Sequence, residues 1–544
     1  MKITMLTMAA AMPILMACGG GDDDASTGTP PAANAAPLAP DCTALARVVT
    51  PNTVIKSSLM VSANSVQSDG VVMPAHCVVT GEINPRIGVN NVRYGINFEL
   101  RLPLEWNKRF HFQGGGGVDG VLRPALGTLR AGVVPALSQG AAVVSSDMGH
   151  TGTSTRDATF GLDPQARIDW GYASMDKVTV LARDLITRFY GTAPAYSYYI
   201  GSSGGGRQGM IMAQRFPTYF DGIVSGAPIL EQHINQISSM QMLQRFTAIA
   251  PKDANGRPIL SRSFSDADLK LIADGVVAQC DALDGVADGL IENYPACTYN
   301  VAALQCNGAK ADTCLSPEQV SAFTAVMGGP KDSSGKQLYP APPWDTGIGE
   351  PEWRSDQIGT ATGPVPNSRK STNESIKYVF MTPAKPDFDY LKFNFDTDPA
   401  TMLASAAITA SNSTDYTGFK ARKGKQIVYV GMSDYLNNPS GVNRWYRELV
   451  AANGGMDATK QFVRFFNVPG MAHSDGGKSL DEFDPVTAIH QWVEKGIAPE
   501  SMLAKGARFP GRERPICAYP NIARYVGSGS VDSPASFRCT APAG

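Results

Sequence analysis

Tyr198-Tyr199-Ile200-Gly201-Ser202-Ser203-Gly204-Gly205-Gly206-Arg207-Gln208-Gly209 runs from an apolar, aromatic segment into Gly-x-Ser-x-Gly, and a helical pattern over Met210–Phe216 follows. A strand that turns sharply into a helix at a serine is a nucleophile elbow, which lifts one hydroxyl above the edge of a sheet. The serine backbone there is strained and its neighbours press together, so residues with little side chain must surround it. Ser203 is the predicted nucleophile. A Gly/Ser loop without chemistry carries the same five residues, so the assignment depends on what the rest of the chain places around it.

On either side of the elbow the pattern alternates strands and helices. Arg93–Leu102 has Tyr94, Ile96, Phe98 and Leu100 on one face, and Arg109–Gln113 runs straight into Gly114-Gly115-Gly116-Gly117. Residues 141–145 and 221–226 read as further strands, and Asp176–Tyr190 as an amphipathic helix. The rhythm breaks between about 229 and 410, where Met, Gln, Pro and Trp-rich segments and four cysteines appear, and resumes at Lys425–Val430 and Gln461–Phe466. This predicts an α/β-hydrolase fold, its mainly parallel sheet covered by helices and interrupted by a large inserted lid domain. The expected segments are 42–228 and 413–544 for the hydrolase domain and 229–412 for the lid.

A net charge of -2 with 18% charged residues gives no basic surface for a nucleic-acid partner. Residues 1–17 hold one charged side chain, Lys2, ahead of a Met/Ala/Leu run too short to span a membrane, and read as a secretory signal. Leu15-Met16-Ala17-Cys18-Gly19 resembles a bacterial lipobox, so Cys18 is the expected lipidation site, with ordinary cleavage and release as the alternative. Residues 18–41 are Gly, Asp, Ala and Pro-rich and read as a disordered tether. The other eight cysteines suit disulfides in an exported chain. Sequence leaves their connectivity open, but their grouping suggests Cys280–Cys297, Cys306–Cys314 and Cys517–Cys539, leaving Cys42 with Cys77.

A serine hydroxyl needs a base to take its proton and a carboxylate to orient that base. Of six histidines, only His473 follows a late strand in a loop, Val468-Pro469-Gly470-Met471-Ala472-His473. His76, His111, His150, His233 and His490 read as structural. Asp434 follows the 425–430 strand, and the order Ser203, Asp434, His473 is that of α/β-hydrolases. Asp475 competes for the acid but stands two residues from His473, which gives poor geometry. The oxyanion requires backbone N–H donors, predicted at Gly204 and at Gly117 of the glycine loop. Both glycine runs also match Gly-x-Gly-x-x-Gly, a match that glycine density alone produces, so no dinucleotide is inferred.

Cys280-Asp281-Ala282-Leu283-Asp284-Gly285-Val286-Ala287-Asp288-Gly289-Leu290 places three carboxylates among glycines, suiting either a hard cation or a solvated acidic turn.

From residue 42 to 539 the chain resembles the tannase/feruloyl esterase family, through Phe160–Arg167, Ser263–Leu269, the acidic loop and the four cysteine pairs. The resemblance implies a serine esterase with a Ser203–His473–Asp434 triad and a structural calcium in the lid. Asp281, Asp284 and Asp288 would supply carboxylates to that ion, and Val286 and Leu290 carbonyls. It implies an enzyme acting on small esters of aromatic carboxylic acids; a monomer is the expected state. The mono(2-hydroxyethyl) ester of terephthalate leads, with ferulate, gallate or other plant phenolic esters as the alternative. The chain departs from the family at Ser202 and Ser474, where two cysteines usually join the elbow to the histidine loop. In the lid, Asn367 and Ser371 stand where an arginine and a phenylalanine would contact substrate, and neighbouring Arg369 is the expected replacement for the arginine. Outside the class, the rivals are a non-catalytic lipoprotein that captures aromatic ligands and a calcium-stabilised adhesin.

Overall fold

The computed structural model describes residues 41–130, 133–366 and 374–542. Cys18 and the whole of the predicted signal and tether up to residue 40 lie outside the described residues, as do Arg369, Asn367 and Ser371.

Nine strands build the central sheet: β1 (Thr53–Val61), β2 (His76–Ile87), β3 (Arg93–Pro103), β4 (Arg109–Gln113), β5 (Ala142–Ser146), β6 (Tyr196–Ser202), β7 (Gly222–Gly226), β8 (Lys425–Gly431) and β9 (Val463–Val468). Their order across the sheet is β1-β2-β3-β5-β4-β6-β7-β8-β9. The first three are antiparallel to their neighbours, and from β5 to β9 every pairing is parallel. This is the α/β-hydrolase fold that the alternating pattern predicts.

The parallel strands are buried on both faces, which is why β6 and β8 read as continuous apolar runs rather than as alternation. Helix α1 (Ser174–Tyr190) covers the sheet with Val178, Leu181, Ala182, Leu185, Ile186 and Phe189 at helical spacing, and Gly191 closes it in the left-handed region. Helix α2 (Gly204–Arg215) begins six residues earlier than Met210, where the sequence pattern places it. The glycines are helical because nothing larger fits. A Cβ on Gly206 would lie 2.0 Å from the Gly226 carbonyl oxygen, and one on Gly205 2.8 Å from that of Gly115.

Residues between β7 and β8 form the insert. Its helices α3 (Gln232–Ile249) and α5 (Pro317–Met327) bring Phe246 and Phe323 into an aromatic cluster with Trp353 and with Phe264, which stands just before α4 (Asp266–Cys280). The four bridges are Cys42–Cys77, Cys280–Cys297, Cys306–Cys314 and Cys517–Cys539, the pairing suggested by spacing. Disulfides of this kind persist in oxidising compartments, and the chain is exported. Among the described residues no helix is long and apolar enough to cross a membrane.

Candidate active site

Ser203 sits at the junction of β6 and α2 with φ 60° and ψ -122°, a strained conformation for a non-glycine residue. Its N–H donates to the Gly226 carbonyl on β7 at 2.9 Å, and its own carbonyl accepts from Arg207 N–H at 2.9 Å, so the turn is held from both sides. The loop after β8 carries Asp434 and the loop after β9 carries His473; both therefore arrive at the same end of the sheet as Ser203.

The three side chains form one hydrogen-bonded line. With the imidazole neutral, His473 Nδ1–H donates to Asp434 Oδ2 at 2.8 Å, leaving Nε2 to accept from Ser203 Oγ at 2.6 Å. Asp434 has no accessible side-chain surface, and its Oδ1 accepts from the backbone N–H groups of Leu436 and Asn437 at 3.0 and 2.9 Å. Burial works against a charged His473, but the charge and hydrogen bond of Asp434 outweigh it, and the imidazole pKa lies above its ordinary 6.5. Asp475, the competing acid, acts on the ring through its charge alone, behind Asp434 and Asp356.

The remaining histidines are placed as structural. His76 lies against Arg101, His111 and His490 meet inside the fold, His150 stacks on Phe160, and His233 is buried in α3.

Gly117 and Gly204 face one another. A Cβ on Gly204 would stand 2.5 Å from the Gly117 oxygen and 3.0 Å from its nitrogen. Gly204 opens α2, so its N–H has no intrahelical acceptor, and Gly117, at φ +61°, donates to no backbone carbonyl among the described residues.

Sequence reasoning missed the network that fixes this loop. Gln208 Oε1 accepts from Gly115 N–H at 3.3 Å and Tyr199 O–H at 2.8 Å, while its Nε2 donates to Asp119 at 3.0 Å. Burial pushes the Asp119 carboxyl up to about 7 against the opposing pull of Gln208 and Arg207. Nothing in a lone Gln or Asp signals such a role; only the fold brings them together. Ser202 Oγ donates to Ser474 Oγ at 2.8 Å, so the two hydroxyls meet across the site.

Beside the acid loop lies a cavity of about 110 Å³ lined by Met242, Phe323, Val326, Met327, Ile348 and Trp353 of the insert and by Met432–Leu436. Among the described residues no Lys or Arg lines it.

In the acidic loop, Gly289 N–H donates to both Asp281 oxygens at 3.0 and 2.8 Å, and Arg514 Nη2 donates to Asp288 Oδ2. Among the described residues no three His, Cys, Asp or Glu side chains converge as a ligand set. The donor chemistry nevertheless fits a hard cation. Asp284 Oδ2 is buried without a partner. Burial first, then the neighbouring Asp288 and Asp281 charges, push its carboxyl up to about 7 against Val286 N–H and Arg514.

The sequence profile described as tannase and feruloyl esterase matches residues 77–540. Mono(2-hydroxyethyl) terephthalate hydrolase of Piscinibacter sakaiensis is 40% identical over 546 aligned positions, covering 91% of this chain and 90% of that protein. A probable feruloyl esterase B-2 of Aspergillus fumigatus is 28% identical, covering 82% and 83% of the two chains. The crystal structure of feruloyl esterase B from Aspergillus oryzae superposes with a TM-score of 0.77 at 24% identity, covering 92% of this chain and 100% of that one.

Proposed function

This chain belongs to the tannase and feruloyl esterase family, and we propose that it is a serine esterase that cleaves esters of aromatic carboxylic acids through an acyl-enzyme. The observation that carries the reading is the unbroken line from Asp434 through His473 to Ser203, beside the closely packed Gly117 and Gly204. Ser203 Oγ attacks the ester carbonyl carbon and His473 Nε2 takes its proton, while Asp434 holds the resulting imidazolium. The Gly117 and Gly204 N–H groups stabilise the oxyanion. His473 then protonates the departing alcohol, and a water activated by the same ring hydrolyses the acyl-serine to release the acid.

The leading substrate is mono(2-hydroxyethyl) terephthalate, on the strength of the 40% relative. Phenolic esters are the second reading, favoured by the largely apolar cavity beside Asp434, which no Lys or Arg among the described residues lines and which suits an uncharged ring. Arg369 would be the carboxylate partner that the first reading needs. Calcium would be held by Asp281, Asp284, Asp288 and the carbonyls of Val286 and Leu290. Its contribution would be structural, joining the loop into one unit, with no part in the reaction. Export would proceed through residues 1–17, with lipid attached at Cys18, and radiolabelled palmitate incorporated into the wild type but not Cys18→Ser tests that.

The decisive experiment compares kcat/KM on mono(2-hydroxyethyl) terephthalate, methyl ferulate and methyl gallate for the wild type and Ser203→Ala. Turnover of at least one by the wild type and its loss in Ser203→Ala is the expected result. Turnover that survives in the variant rejects the mechanism.

A further inference from the structure

The insert reaches back into the site through one buried carboxylate. Asp345, 3% exposed, caps the short turn Thr346–Gly349, its Oδ1 accepting from Thr346 N–H at 2.6 Å and Thr346 Oγ1 at 3.1 Å. The same oxygen accepts from Ser433 Oγ, the hydroxyl immediately before Asp434. The fit around this contact is tight: a Cβ on Gly347 would stand 2.5 Å from Ser433 Cβ, and one on Gly470 3.2 Å from Thr346 Oγ1. Ser433 is in turn fastened to the histidine loop, since its N–H donates to the Met471 carbonyl at 3.0 Å. A Cβ on Gly431 would lie 2.2 Å from that same oxygen, so the two loops have no slack between them.

We infer that Asp345 is a positioning residue, an anchor from the insert that holds the acid loop and the histidine loop in register by accepting from Ser433 Oγ. This rests on the triad assigned above. Asp345 touches neither the nucleophile nor the imidazole; it acts through Ser433 on where Asp434 stands. The reason one carboxylate matters is geometric. Asp434 meets His473 by a single 2.8 Å hydrogen bond, and displacement of a catalytic group by about 1 Å can cost on the order of a hundredfold in rate.

The consequence is readable in two quantities that general destabilisation leaves alone. His473 owes its raised pKa to Asp434, with Asp356 and Asp475 adding more distant charge. A misplaced Asp434 therefore moves the acid limb of the kcat/KM profile to lower pH while kcat falls.

The test uses the full chain with Asp345→Ala, Ser433→Ala and the double variant, assayed on whichever aromatic ester the wild type turns over, with Ser203→Ala as control. Each single variant should lower kcat by roughly tenfold to a hundredfold and shift the acid limb downward. The double variant should fall no further than the worse single one, because both remove the same contact. If Asp345→Ala does not fold, Ser433→Ala, which deletes one hydroxyl, carries the test alone. An unchanged kcat and acid limb in Ser433→Ala overturns the inference while Ser203→Ala remains inactive. Turnover in Ser203→Ala instead overturns the triad on which it rests.

Discussion

At the scale of single residues, the triad was legible because chemistry restricts it. A Gly-flanked serine, a histidine past a late strand and an aspartate past the strand before it appear in one order, and the structure brings these three side chains together. Gln208, Asp119 and Asp345 were not legible, because a buried hydrogen bond across 89 or 88 residues leaves no local pattern. Since Asp434 raises the His473 pKa, the base is deprotonated only above the ordinary imidazole value of 6.5. Activity is therefore expected to rise with pH through an acid limb above that value, as read from kcat/KM against pH. Asp434→Asn should move the limb down and lower kcat. Ser202 and Ser474 offer a second prediction. Their hydroxyl oxygens are 2.8 Å apart and the pair spans 272 residues. A single net hydrogen bond contributes about 1 kcal/mol, whereas a disulfide contributes about 2–4 kcal/mol. The Ser202→Cys/Ser474→Cys protein should form a bridge and unfold at a higher Tm, with the gain abolished by dithiothreitol.

At the scale of elements, period and punctuation located the parallel strands within a residue or two, because burial on both faces makes them apolar throughout. β1 and β2 were missed. β1 is half exposed at the sheet edge and carries Lys56, Ser57 and Ser58, and the β2 register shifts between Ile83 and Arg86, so neither shows clean alternation. The start of α2 was placed late because glycine is a poor helix former, and here the approach of Gly226 overrides propensity. The pairing of the glycine loop with α2 yields a stability prediction. Burial holds the Asp119 proton to about 7 against the ordinary 3.8, despite Gln208 and Arg207. Between those values the unfolded carboxyl is ionised and the folded one is not, so stability falls as pH rises through that window and levels off above it. Asp119→Asn keeps an acceptor for Gln208 and should flatten the decline by at most about 1.4 kcal/mol per pH unit, as read from urea midpoints between pH 4 and 7.

At the scale of the whole molecule, fold class followed from alternation, and the insert was legible as an interruption of it. Its interior was not, because Phe246, Phe264, Phe323 and Trp353 converge from segments with no shared period. If calcium occupies the acidic loop, EGTA should lower Tm and added calcium restore it, by RT ln(1 + [L]/Kd). Asp284→Asn should remove that response, and a Tm indifferent to both would refute the site. Arg514, which pairs with Asp288, ties this loop to the C-terminal segment, so the loss should spread beyond the insert.

The insert leaves the sheet after β7 and re-enters at β8, and these strands are hydrogen-bonded neighbours, Gly222 opposite Lys425 and Gly226 opposite Tyr429. The two strands are parallel, so the insert leaves beyond Gly226 and re-enters at Lys425, opposite Gly222, a crossover of four residues or roughly 13 Å back along the sheet. Recombination can cut at those two points and splice in any foreign segment long enough to make that crossover without disturbing a single strand. Specificity in such a lineage would evolve by transplant rather than by drift, under one condition of compatibility: the incoming piece must bring its own acceptor for the Ser433 hydroxyl, or the recipient keeps its architecture and turns over more slowly.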